Sequence, residues 1–195
     1  HVKLRDGAEL YYESRGAGPA LFLVPGLGGD GRFWEPNVEG LAKHFTVVVH
    51  DHRGTARSTL SRITYSVAQM SDDALQLIDA LGYDKVHWCG HSTGGAIAQI
   101  LAIEHPKRLA SVVLSATWTK PDAYFRRFFG MRKDILLRLG PSAYVQANTL
   151  LLYPSWWVAR NNERLRQLEA QTLAVFPPTE VAASRPAGRL RRGRG

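Results

Sequence analysis

Gly90-His91-Ser92-Thr93-Gly94-Gly95 reads as Gly-x-Ser-x-Gly set between two segments of different character. Before it, Val86-His87-Trp88-Cys89 has the composition of a buried strand. After it, Ala96-Ile97-Ala98-Gln99-Ile100-Leu101-Ala102 has that of a helix. A serine on a sharp strand-to-helix turn projects its hydroxyl above the sheet. Strand and helix pass so close there that only small residues fit two positions either side, and Gly90 and Gly94 occupy those positions. The helix N-terminus adds the positive end of its dipole where negative charge must develop. Ser92 is therefore the candidate nucleophile. A glycine-rich turn with an incidental serine is the plainer reading, and the flanking segments argue against it.

Outward from this turn, Ala20-Leu21-Phe22-Leu23-Val24, Thr46-Val47-Val48-Val49 and Ser111-Val112-Val113-Leu114 are continuous apolar runs, the pattern of strands buried on both faces. Asp6-Gly7, between Val2-Lys3-Leu4 and residues 8–13, predicts a hairpin. Helices are expected over 33–44, 66–81 and 96–105. In the second, Val67, Met70, Ala74, Leu77, Ile78 and Leu81 recur at helical spacing. Ser66 and Gln69 predict a capping box there, with Tyr65 and Met70 as a hydrophobic staple. Strands alternating with helices predict an α/β core over residues 1–116, a mostly parallel sheet flanked by helices.

After Ser115 the pattern changes. Residues 117–176 contain no convincing strand, and their apolar spacing predicts helices at about 121–139, 142–152 and 155–174. Trp118, Tyr124, Phe125, Phe128, Phe129, Tyr144, Tyr153, Trp156 and Trp157 lie in this stretch, interleaved with arginines. It reads as a helical lid, with most of its aromatics packing its own core. Pro177-Pro178 breaks the last helix, and 177–195 is expected to be a basic, irregular tail.

Charge divides the chain in the same way. Residues 1–116 hold 11 Lys+Arg and 12 Asp+Glu, whereas 117–195 hold 14 and 5, so the whole +8 excess belongs to the second part. Five arginines fall between Arg185 and Arg194. They have neither interleaved aromatics nor a nucleic-acid motif beside them, so no nucleic-acid partner is expected. The single cysteine, Cys89, excludes an internal disulfide framework and reads as core filler in a reducing, cytoplasmic protein. No apolar run reaches membrane-spanning length, no secretory signal is visible, and no cluster has metal-ligand spacing. No membrane, metal or organic cofactor is therefore expected.

Pro25-Gly26-Leu27-Gly28-Gly29 follows the first apolar strand. In an enzyme built on such a serine turn, one oxyanion donor comes from this loop and the other from the residue after the nucleophile. That assigns the N–H groups of Leu27 and Thr93, each worth about 3 kcal/mol of barrier lowering. Walker spacing is absent, which argues against a phosphate loop.

Taken together, these residues resemble the α/β-hydrolase family. The resemblance rests on the Pro25–Gly29 loop, Asp51-His52-Arg53-Gly54-Thr55-Ala56-Arg57-Ser58, the Gly90–Gly95 turn, and His105-Pro106 before the next strand. Two positions depart from the family pattern: Ala56 stands where a glycine is usual, and Pro25 where His precedes the Gly. Within the family the chain looks most like small bacterial hydrolases around aminoacrylate hydrolase and 3-oxoadipate enol-lactonase. Ala116-Thr117-Trp118, Arg126-Arg127-Phe128-Phe129 and Leu151-Leu152-Tyr153-Pro154-Ser155-Trp156 resemble their lid. This resemblance implies that Trp118 faces substrate.

The family order is Ser, then an acid, then His, with both partners beyond the lid. Of seven histidines here, only His105 lies beyond His91. His105 ends the helix that starts at the serine turn, about 15 Å away. His91 adjoins Ser92, but neighbours on this turn point apart. His50 and His52 end the second apolar strand and read as structural. Asp122 could act as an acid in a variant arrangement, and Asp51 reads as a loop-holding residue. The triad acid and His are thus unassigned. The last strands of the fold look missing, and the Arg-rich tail resembles a truncated or frame-shifted end.

The expected function is a serine hydrolase. Ser92 would form an acyl-enzyme with a small carbonyl substrate: ester, lactone, enamine or amide. Lid arginines would favour a carboxylate-bearing one. The alternatives are a non-catalytic binding protein with a hydrolase-like pocket and an inactive truncated product.

Overall fold

The structure is a computed structural model and describes residues 1–60 and 65–184. Its centre is a five-stranded sheet of β3 (Tyr12–Arg15), β5 (Thr46–His50), β4 (Ala20–Val24), β6 (Val86–His91) and β7 (Leu109–Ser115), in that spatial order. β3 pairs antiparallel with β5, and the other pairings are parallel. The expected α/β core is therefore present. β1 (Val2–Lys3) and β2 (Glu9–Leu10) form the expected hairpin, with Gly7 at φ 87° in its turn. The 8–13 stretch is not one strand, however. Tyr11 leaves both ladders: its N–H donates to Ser58 Oγ and its carbonyl accepts from Asp51 N–H, so β2 and β3 serve different sheets.

β4 is buried along its whole length, and its alternate side chains feed two cores. Leu21 and Leu23 pack with Val47, Val49 and Val38 of α1 (Glu35–Leu41). Phe22 and Val24 pack with Val48 and Trp88 against α2 (Val67–Ala80) and α3 (Thr93–Glu104). The Phe22 and Trp88 rings stack at 5.9 Å. Helices therefore cover both faces of the sheet. In α2, Ser66 caps the start through a bond from Gln69 N–H. The reciprocal half of the box does not form, because the Gln69 amide donates to Asp73 instead. Asp73 is buried, and it and Asp6 hold Arg53 from both sides.

β7 corrects an expectation. Its apolar run predicts burial on both faces, yet Val113 and Leu114 are 56% and 48% exposed. Among the described residues β7 pairs only with β6, so nothing described covers its other side. An apolar run specifies a strand that can be buried, not one that is.

The stretch after β7 is helical, as expected. α4 (Ala123–Leu152) is broken at Gly140, φ 84°, before Pro141, which reproduces the two helices predicted around that point. The third predicted helix divides at Asn161 into α5 (Ser155–Arg160) and α6 (Asn162–Ala174). α7 (Thr179–Ser184) corrects the irregular reading of 177–184. The Pro178 carbonyl accepts from Val181 and Ala182, Val181 is buried, and α7 packs on α4. Proline is tolerated at a helix start, where no intrahelical N–H bond is lost. The five arginines of the tail lie outside the described residues. Among the described residues no helix is long and apolar enough to cross a membrane.

His50, at the end of β5, is fully buried, and its Nδ1 has no partner. Burial first, then the neighbouring His52, pushes its pKa well below the usual value. Such a histidine stays neutral in the native chain and gains its proton only on unfolding. Stability is therefore intact above the unfolded value of about 6.5. It falls as pH drops through that value, by up to about 1.4 kcal/mol per pH unit, until native His50 itself protonates. Urea midpoints measured from about pH 7.5 down to about pH 5 should decline. His50→Leu should flatten that decline, and an unchanged slope would assign it to His91, whose pKa burial also lowers.

Candidate active site

Ser92 sits between the end of β6 and the first residue of α3, at φ 53° and ψ −114°. A non-glycine residue there is strained by about 1–3 kcal/mol and persists only where its surroundings enforce it. Four contacts do so. Ser92 N–H donates to the Ser115 carbonyl at 2.8 Å. Its own carbonyl accepts from Thr117 Oγ1 at 2.7 Å. The buried Trp88 indole donates to the Gly94 carbonyl at 3.0 Å, and α3 closes on Ser92 through Gly95 N–H. The expected glycines are required by contact. A Cβ on Gly90 would strike the Gly94 carbonyl, and one on Gly94 would strike the Val24 carbonyl. One on Gly95 would stand 2.7 Å from Thr117 Cβ.

The Pro25–Gly29 loop lies against the serine. A Cβ on Gly26 would be 3.1 Å from Ser92 Cβ and 3.5 Å from its Oγ. The loop closes by a bond from Gly29 N–H to the Gly26 carbonyl at 3.0 Å, with Gly28 at φ 73°. That is a turn demanding glycine at its third position, and its closing bond does not use the Leu27 N–H. Thr93 opens α3, so its N–H has no intrahelical acceptor. These are the two amides expected as oxyanion donors.

Asp51 holds the neighbouring loop, as its place in the sequence motif predicts. Its buried carboxylate accepts from Gly31 N–H and from Arg57 N–H, Nε and a terminal guanidinium nitrogen. Burial alone would raise its pKa, but the Arg57 guanidinium and the two amides outweigh it and hold the carboxyl below the usual range. Within this loop Ala56 adopts φ 43°. The left-handed region explains why the family pattern carries glycine at this position.

A Cβ on Gly26 would be 3.7 Å from His91 Cδ2, so the His91 ring approaches the same loop position as Ser92 rather than pointing apart from it. His91 Nδ1 lies 3.5 Å from Ser115 Oγ and its ring stacks on Phe33, while His52 Nε2 faces the Pro25 carbonyl. His105 caps the far end of α3, about 18 Å along the helix from the turn. Among the described residues no imidazole is hydrogen-bonded to Ser92 Oγ. The Asp122 carboxylate is occupied as the N-cap of α4, accepting from Phe125 N–H at 2.7 Å. Trp118, next to Thr117, is half-buried against the core and the Phe125 ring, and its indole nitrogen is buried without a partner. Cys89 is half-buried, and burial raises its thiol pKa, as suits core filler. Among the described residues no three potential ligands cluster for a metal ion.

Fold and turn together define the class. The chain belongs to the α/β-hydrolase fold family, whose model matches residues 19–171, and is by that family a hydrolase. A Caulobacter vibrioides protein named "Putative carbamate hydrolase RutD" is 43% identical over 182 residues, 90% of this chain and 67% of its own length. One of the same name from Azorhizobium caulinodans is 42% identical, over 91% of this chain and 67% of its own. The chain thus spans about two thirds of the length of these curated relatives. Among solved structures, the enol-lactonase from Burkholderia xenovorans superposes with a TM-score of 0.81 at 28% identity, over 92% of this chain and 69% of that one. A hydrolase from Pseudomonas aeruginosa gives 0.83 at 25% identity, over 94% and 69%.

Two substitutions test this geometry. Gly94→Ala should lower stability by about 1–3 kcal/mol, since backbone carbonyls rather than a flexible side chain meet the new methyl. Ala56→Gly should raise it by about 1 kcal/mol by relieving the left-handed alanine. Urea midpoints at constant slope read both.

Proposed function

We propose that this chain carries the nucleophile half of a serine hydrolase site. Ser92 Oγ attacks the carbonyl carbon of a small substrate, and the N–H groups of Leu27 and Thr93 hold the resulting oxyanion. The proton given up by Ser92 Oγ is carried by water or a base to the leaving alcohol or amine as the adduct collapses; the acyl group left on Ser92 is then removed by water, whose proton returns to Ser92 Oγ. The observation that carries this reading is the strained backbone of Ser92 between β6 and α3, with the Gly26 backbone against it. The names of the relatives add a carbamate to the ester, lactone, enamine and amide candidates. The ester, lactone, amide and carbamate share a carbonyl carbon bonded to a leaving heteroatom; an enamine would instead tautomerise to an imine and add water at the imine carbon, without an acyl group on Ser92. Trp118 is proposed to flank the acyl group, and residues 117–176 to act as the lid. A single cysteine, which can form no internal disulfide, fits a reducing, cytoplasmic setting.

A second reading has its own observation. A serine hydroxyl is a poor nucleophile until a base takes its proton, and no imidazole among the described residues bonds to Ser92. The 195-residue chain by itself then acts as a binding pocket or a nearly inactive hydrolase.

One experiment separates them. Loss of a triad member lowers turnover by about 10⁴–10⁶-fold. The 195-residue chain should therefore hydrolyse p-nitrophenyl acetate barely faster than its Ser92→Ala variant. Fast, Ser92-dependent hydrolysis would show that His50, His52 or His91 reaches the serine, or that a partner chain supplies the base. A rate independent of Ser92 would remove Ser92 as the nucleophile.

A further inference from the structure

His52 makes a buried contact with the loop that carries the proposed oxyanion donor. It is 4% exposed, and its Nε2 lies 3.0 Å from the Pro25 carbonyl oxygen. A carbonyl only accepts, so Nε2 carries the ring proton and His52 donates. The other side of that carbonyl is also occupied: a Cβ on Gly94 would stand 2.9 Å from it, so the backbone of α3 abuts it directly. The Pro25 carbonyl is thus held between an imidazole and the helix that begins at Ser92. Pro25 has no N–H, so this oxygen is the only backbone hydrogen-bonding group it offers. The next residue, Gly26, faces Ser92, and the one after is Leu27. Leu27 and His52 line one narrow pocket together with Gly28 and Thr55. The His50 ring meets the His52 ring edge-on at 5.0 Å and limits its rotation.

We propose that His52 is a positioning residue: its Nε2–H, bonded to the Pro25 carbonyl, fixes the Pro25–Gly29 loop so that the Leu27 N–H faces Ser92. This rests on the reading of Leu27 as an oxyanion donor. His52 touches no reacting atom; it acts through the loop. The geometry distinguishes this from packing alone. An apolar side chain of similar size would fill the same space but would leave the Pro25 carbonyl without its donor, free to rotate its peptide plane.

The test uses phenylboronic acid and needs no turnover. The Ser92 oxygen bonds to boron, its proton passes to water, and a negatively charged boronate oxygen stands where a substrate oxyanion would. The full chain is compared with Ser92→Ala, His52→Gln and His52→Met by the Kd for the boronic acid, the ¹⁵N–¹H shift of the Leu27 amide on binding, and the thermal melt. His52→Met should weaken binding about tenfold and shrink the Leu27 shift, a part of what a lost oxyanion donor costs. His52→Gln, whose amide can reach the same carbonyl, should stay within about threefold of the parent. Ser92-dependent binding that His52→Met leaves unchanged overturns the proposal while leaving the nucleophile reading intact. Equal weakening by Met and Gln assigns His52 to packing and also overturns it. Loss of a cooperative melt in His52→Met assigns the bond to folding and likewise overturns it. Boronic acid that binds Ser92→Ala as tightly as the parent overturns the nucleophile reading, and the His52 proposal falls with it.

Discussion

The arrangement around Ser92 depends on one contact, the approach of the α3 backbone at Gly94 to the carbonyl oxygens of Val24 and Pro25. β4 and β6 are hydrogen-bonded neighbours, so the ends of both strands arrive at the same edge of the sheet. With no side chain at Gly94, α3 starts directly over that edge. The chain can then reverse within one residue, and Ser92 takes the strain. The Trp88 indole, the Ser115 carbonyl and the Thr117 hydroxyl fasten the turn from three directions. The energy that keeps Ser92 at a positive φ therefore comes from the surrounding sheet and from the start of the segment after β7.

Near that turn two buried carboxylates are held by neighbouring amides and guanidinium groups. Asp51 gathers amides and the Arg57 guanidinium, and Asp73 with Asp6 encloses Arg53. The two buried carboxylates, Asp51 and Asp73, differ in outcome. For Asp51 the donors outweigh the desolvation cost and its pKa falls. For Asp73 burial outweighs Arg53 and Gln69 and its pKa rises. Asp51 therefore stabilises the fold above the usual carboxylate range, and that contribution is lost as pH falls through its own lowered value. Asp73 behaves in the opposite sense. It favours the fold most below the usual carboxylate value and loses that contribution as pH rises through its raised one, because burial penalises its charged form.

Much of this was legible in the residues because the relevant constraints are local. Glycines two positions either side of a serine, between an apolar strand and a helical run, state a close crossing on their own. Asp6-Gly7 stated its hairpin turn, and apolar spacing placed the break between the helices predicted at about 121–139 and 142–152. Other features were not local. Whether Gln69 completes a capping box depends on Asp73 being four residues on and already held by Arg53. Tyr11 interrupts a strand only because Ser58 and Asp51, far along the chain, take its backbone groups. His52 carried no signal beyond its motif, since its partner is a backbone carbonyl 27 residues away.

By itself, then, the sequence determined the alternation of strands and helices from β4 to β7, the identity of the turn serine and the positions where only glycine fits, because each follows from neighbours within a few residues. Tertiary structure alone decided three things: that among the described residues β7 pairs only with β6, that His50 is buried with its Nδ1 unpartnered, and that His52 and Gly94 close on the same Pro25 oxygen. Each depends on which strands and loops meet in space, and that is set by packing the sheet between its helices rather than by any short stretch of chain.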